Sequence, residues 1–121
     1  MWTYNQRSGK LLDPNGEILA IGYAGNGSGK NNPLMENVKN IGCLPKGIYS
    51  IGQPYNSTHT GPFTLPLTPN NENNMFGRSG FKIHGDNIGA PGTASQGCII
   101  IPRSARTAIS ESMDKQLKVV E

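Results

Sequence analysis

At 121 residues, with 35% hydrophobic and 16% charged side chains, the chain suffices for one domain and one core over 1–121, and its 16 Gly and 9 Pro favour turns and strands over helices. The net charge of +3 comes from scattered Lys and Arg, which suits an anionic polymer such as a cell wall and argues against a nucleic-acid surface. No apolar run approaches a membrane span, and Met1-Trp2-Thr3-Tyr4-Asn5 lacks the charged and apolar regions of a secretory signal, so action outside a cytoplasm calls for another export route.

In chain order, "KLLDPNGEILAIG" reads as a hairpin, with apolar alternation on both sides of the turn Asp13-Pro14-Asn15-Gly16. "GYAGNGSGKNN" reads as a Gly/Asn loop. Asn32 then caps a short helix with Pro33 at its first position and Gly42 just beyond its end. "KGIYSIG" and "FTLPL" are predicted strands, the second at a sheet edge because Pro66 has no N–H to donate. "GFKIHG" is a strand ending at His84, and "CIIIP" is a strand beginning at Cys98. Pro102 opens a helix through about Met113, with Ala105, Ala108, Ile109 and Met113 on one face, and "QLKVV" closes the chain as a strand. About eight strands with one or two short helices describe a mainly β sandwich or partly open barrel.

The chemistry concentrates between His84 and Cys98. A cysteine is a nucleophile as its thiolate, and a neighbouring imidazole is a common means of producing one. The loop of residues 85–97 can fold back so that the two strands pair and the two side chains meet. Gly97 admits close backbone approach, and the N–H groups of Gln96, Gly97 and Cys98 are candidate donors to an oxyanion. Residue types alone leave another reading open: Cys98 as a small core hydrophobe and His84 as a turn residue. A third treats His84, Asp86 and His59 as metal ligands. The 2 cysteines form neither a disulfide scaffold nor a zinc set, and a Cys43–Cys98 bridge, although possible, is unnecessary in a chain able to build a core. A papain-like order, with the cysteine before the histidine, is not what this chain has.

"HGD" followed by "ASQGCI" resembles the L,D-transpeptidase signature, in which a His-Gly pair precedes Ser/Thr-x-Gly-Cys. "WTYNQRSGKLL", "GYAGNGSGKNNP", "IGCLPKGIYSIG", "LPLTPNNENNMFGRSGFKIHGD" and "GTASQGCIIIPRSAR" are similar to one branch, the small Tlde1-like L,D-transpeptidase effectors of type VI secretion systems. The resemblance runs from Trp2 to about Val120. It implies an L,D-transpeptidase-like, mainly β fold acting on peptidoglycan stem peptides, without a cofactor or metal. The bond attacked in that family joins meso-diaminopimelate to the terminal D-alanine. Water as acceptor makes the enzyme an L,D-carboxypeptidase, and a free D-amino acid makes it an exchange enzyme. By the same resemblance Cys98 is the nucleophile, His84 the general base, and Gly85 the backbone carbonyl that orients the imidazole, with Ser95 and Gly97 preceding the nucleophile. The implied partner is a cognate periplasmic immunity protein, and the implied place of action is the periplasm of a target cell.

The chain departs from the larger enzymes of the family. Gln96 stands where they carry a second histidine, Ile100 where they carry an arginine, and Cys43 where a proline is expected. Substrate contacts are therefore assigned to Ser95, Asp86 and an arginine, Arg78 or Arg103, whose guanidinium fork suits a carboxylate. Asp86 is also placed as a residue that shapes the loop. A non-catalytic cell-wall binding module on the same fold is the alternative function.

Overall fold

The computed structural model describes residues 1–121 as ten strands, one α-helix and two single 3-10 turns. The strands are β1 (Trp2–Asn5), β2 (Lys10–Leu12), β3 (Ile18–Ile21), β4 (Tyr23–Ala24), β5 (Gly47–Ile51), β6 (Tyr55–Ser57), β7 (Gly61–Pro69), β8 (Lys82–His84), β9 (Ile99–Ile100) and β10 (Gln116–Val120). Helix α1 covers Arg103–Glu111. The sheet runs β3-β2-β1-β10-β5-β7-β8-β9-β4, with β6 paired to β7. The β1–β10 and β8–β9 pairs are parallel and the others antiparallel.

This mainly β, L,D-transpeptidase-like architecture is an open mixed sheet that curls on itself, because β3 and β4 stand at opposite ends of the order yet are separated in sequence by Gly22 alone. The closure demands a residue without a side chain there. A Cβ on Gly22 would lie 1.9 Å from the Ile100 carbonyl oxygen.

The β2–β3 hairpin forms where the alternation and the turn residues place it. Asp13 Oδ1 accepts the N–H groups of Asn15 and Glu17, and Gly16 takes φ 87°. The expected helix after Asn32 shrinks to a 3-10 turn over Pro33–Met35. Asn32 does cap it, accepting the Leu34 N–H at 3.1 Å, but successive turns replace the helix and Asn40 adopts φ 65°. Nor is β7 an edge strand: it pairs with β5, β6 and β8. Pro66 is tolerated because the β5 ladder stops at Ile51–Leu67. Its missing N–H falls just past that point, while its carbonyl accepts the Gly52 N–H at 2.8 Å.

Trp2, Tyr4, Leu11, Tyr49, Leu65, Ile83, Ile99 and Leu117 form the core between the curled sheet and α1, which adds Ala105 and Ile109. Burying each large side chain stabilises the fold by roughly 1.5–3 kcal/mol. Met113, expected on the inner face of the helix, is fully exposed. The helix ends at Glu111 and Ser112 is already extended, at ψ 149°.

Candidate active site

Strand alternation sets the direction of the two candidate side chains, His84 and Cys98. Ile83 pairs with Ile99 and His84 with Ile100 across the parallel β8–β9 ladder, and Ile83 and Ile99 are both fully buried in the core. His84 follows Ile83 and Cys98 precedes Ile99, so both face away from that core. There they line one cleft of about 530 Å³, with Lys82, Gln96, Ala94 and His59 around them.

His84 is 4% exposed, and its Nδ1 lies 2.9 Å from the Gly85 carbonyl oxygen. A carbonyl only accepts, so Nδ1 carries the proton and Nε2 keeps its lone pair. Burial holds the imidazole below its ordinary pKa, against the pull of the Gly85 carbonyl, and the Arg106 charge acts in the same direction as burial. Burial also pushes the Cys98 thiol up, opposed by the Lys82 backbone N–H and by the charges of Lys82 and Arg78. Both shifts favour the uncharged form. A neutral thiol and a neutral imidazole lining one cleft suit proton transfer during attack rather than a standing ion pair.

The loop of residues 85–97 is held from several sides. Asp86 accepts the Tyr23 hydroxyl at 2.6 Å and the N–H groups of Asn87 at 2.8 Å and Gly92 at 3.1 Å. These donors keep its carboxyl below the usual range despite some desolvation. Ser95, expected at the substrate, is 1% exposed and engaged within the chain. Its Oγ accepts the N–H groups of Gly25 at 2.8 Å and Gly97 at 3.0 Å and donates to the Cys98 carbonyl at 2.6 Å. Of the three expected oxyanion donors, the Gly97 N–H is thus committed, whereas those of Gln96 and Cys98 have no acceptor within the protein.

Arg78 also lies elsewhere than a substrate contact requires. Its buried guanidinium donates to the carbonyls of Glu36 at 2.5 Å, Cys43 at 2.9 Å, Gly42 at 2.8 Å and Gln96 at 3.2 Å. It braces the turn before Cys98 from behind. Gly97 belongs to the same brace: it adopts φ 134°, and a Cβ there would sit 2.7 Å from both Arg78 Nη2 and the Phe81 ring. The Arg103 guanidinium lies 4.5 Å from the centre of the Phe63 ring and lines a neighbouring groove of about 450 Å³ rather than the Cys98 cleft. Cys43 and Cys98 are both free thiols, and burial pushes the Cys43 thiol up to about 11. His59 lines the cleft beside His84, but no group of three His, Cys, Asp or Glu side chains is arranged to hold a metal ion.

A family model of the Tlde1 domain matches residues 19–121. The chain belongs to the Tlde1 domain family. Membership makes it a type VI effector domain of the L,D-transpeptidase-like class. No curated protein matches the chain significantly. The matched stretch runs from within β3 to Glu121 and includes His84, the loop and Cys98, whereas β1 and β2 precede it.

Two residues of the Tlde1 domain that flank its His84–Cys98 loop, Tyr23 and Arg106, escape a reading by residue type. Tyr23 sits in a Gly/Asn-rich stretch that reads as loop, yet it forms β4 against β9, and its hydroxyl both donates to Asp86 and accepts the Ala94 N–H. A two-residue strand is too short to show alternation. Arg106 is charged but 4% exposed on the inner face of α1. Its signal was available, since it stands three positions before the core residue Ile109 and therefore shares its face.

Proposed function

We propose that this Tlde1 domain is a cysteine L,D-carboxypeptidase and transpeptidase that cleaves peptidoglycan tetrapeptide stems between meso-diaminopimelate and the terminal D-alanine. The observation that carries the reading is the cleft shared by Cys98 and His84, with the imidazole Nδ1 2.9 Å from the Gly85 carbonyl so that Nε2 faces the reaction as a base. In the first half-reaction Nε2 takes the thiol proton while Sγ attacks the scissile carbonyl carbon. The uncommitted N–H groups of Gln96 and Cys98 are the donors for the resulting oxyanion. The C–N bond then breaks, the imidazolium returns its proton to the departing amine, and D-alanine leaves behind a thioester on Cys98. In the second half, Nε2 deprotonates water, which releases a tripeptide, or the amine of another D-amino acid, which exchanges the terminal residue.

Trimming removes the D-alanine bond whose energy drives L,D-cross-linking, and exchange replaces D-alanine with a residue that spoils the donor, so either outcome weakens the wall. The substrate lies in the periplasm, and the type VI route delivers the domain there in a target cell. A producer exposed to its own toxin is protected by a periplasmic immunity protein seated over the Cys98 cleft. The decisive experiment is mass spectrometry of purified muropeptides after incubation with the protein. Loss of tetrapeptide stems with gain of tripeptide or exchanged stems is expected, and Cys98→Ala should yield none. Unaltered muropeptides with tight sacculus binding would instead favour the wall-binding module.

A further inference from the structure

Arg106 is the more deeply buried of the two buried arginines, and it takes part in none of the chain's ion pairs. Its Nε donates to the Phe63 carbonyl at 2.9 Å, Nη1 to Ile101 at 2.6 Å and Nη2 to Pro62 at 3.4 Å. A guanidinium has five N–H groups, so one on each Nη is left without a protein acceptor. A buried charge without a counter-ion is costly. The neighbouring charges do not supply one: Arg103 has the same sign, and no carboxylate lies within ion-pair distance of the guanidinium. Both Nη atoms would lie 3.2 Å from a Cβ on Gly85, so this end of the guanidinium stands against the backbone that follows His84.

The order of groups along the groove then matters. Arg106 lines a space of about 600 Å³ with His84 and Gly85, and Cys98 is not part of that lining. The Cys98 cleft adjoins it through His59, Thr60, His84 and Ala94. Cys98, His84, Gly85 and Arg106 therefore follow one another. His84 must protonate the departing amine, which puts the leaving group on its side of Cys98. The carboxylate of a leaving D-alanine hangs from the carbon that bears that amine, and so falls toward Arg106. We infer that Arg106 binds the free carboxylate of the terminal D-amino acid, both as leaving group and as incoming acceptor. This inference rests on the proposed peptidase chemistry and assigns to Arg106 the role expected of Arg78 or Arg103. A paired fork on a carboxylate also restricts the enzyme to chain ends.

The test compares a tetrapeptide ending in D-alanine with its C-terminal carboxamide, using wild type, Arg106→Gln and Arg106→Lys. Each protein is judged by the ratio of its kcat/KM values for the two substrates, which does not depend on the folded fraction. Wild type should favour the carboxylate by about 100-fold, Arg106→Gln by almost nothing, and Arg106→Lys by an intermediate factor. A wild-type ratio retained in Arg106→Gln, or no preference in wild type, overturns the assignment and leaves the peptidase reading standing. Turnover of neither substrate overturns the peptidase reading instead. Calorimetric titration of the same two peptides into Cys98→Ala and Cys98→Ala/Arg106→Gln then decides the carboxylate subsite alone, by the same ratio.

Discussion

Tyr23 donates its hydroxyl to Asp86 at 2.6 Å and accepts the Ala94 N–H at 3.0 Å, so one phenol ties together the two ends of the loop between His84 and Cys98. Tyr23→Phe removes both bonds while keeping the ring under the Lys30 ammonium, which sits 4.3 Å from its centre. Net hydrogen bonds of this kind are worth on the order of 1 kcal/mol each, so urea unfolding should show a loss of roughly 1–2 kcal/mol, and the loosened loop should lower kcat/KM as well. Asp86→Asn should do similar damage by loosening the Asn87 and Gly92 contacts. His84→Ala should cost about 1,000-fold or more, because it removes the proton carrier. Equal losses from Asp86→Asn and His84→Ala would transfer the orienting role from the Gly85 carbonyl to the carboxylate.

The acid limb of the pH–rate profile should report His84. Its folded-state pKa is lowered from the ordinary 6.5, chiefly by burial, so the imidazole stays neutral and basic to a lower pH than a free histidine. Activity is therefore retained as pH falls to 6.5 and lost only below it, when the base becomes protonated. Stopped-time assays of kcat/KM against pH measure this directly. A limb centred above 6.5 would show that the imidazole is stabilised as a cation and that the neutral-pair mechanism is wrong.

Arg78 and Gly97 should behave as structural residues. Arg78→Met leaves four backbone carbonyls without their donor, and urea unfolding should show a loss of roughly 2–4 kcal/mol. Gly97→Ala should be damaging in the same direction, since φ 134° is strained for any side chain and the new methyl meets Arg78 and Phe81 at 2.7 Å. If Arg78→Met instead preserved stability and raised KM selectively, substrate contact would be its role after all.

Toxicity should depend on compartment. Expressed in a bacterium with an added periplasmic signal, the chain should arrest growth, while the cytoplasmic form should not. Cys98→Ala should abolish the effect without unfolding the protein, because a small side chain replaces a small one in a half-buried position. Growth arrest by the cytoplasmic form to the same degree would point to a different target.

Much of the site lay within reach of local reading because its parts are close in sequence. His84, Gly85 and Cys98 flank one loop, and two short apolar stretches, Lys82–His84 and Ile99–Ile100, are what strands require. Turn chemistry likewise announced the Asp13–Gly16 hairpin and the Asn32 cap, both of which act within four residues. What needed the tertiary structure depends on distant partners. Whether Pro66 sits at an edge turns on where the β5 ladder ends, and whether an arginine reaches the cleft turns on which carbonyls capture it. Arg78 meets its acceptors up to 42 residues away, at Glu36, and Arg106 meets Phe63 across 43. Composition cannot distinguish those two guanidiniums, because both are buried and both are bound by backbone. The fold separates them by saturating one with four carbonyls and leaving the other with donors to spare beside His84.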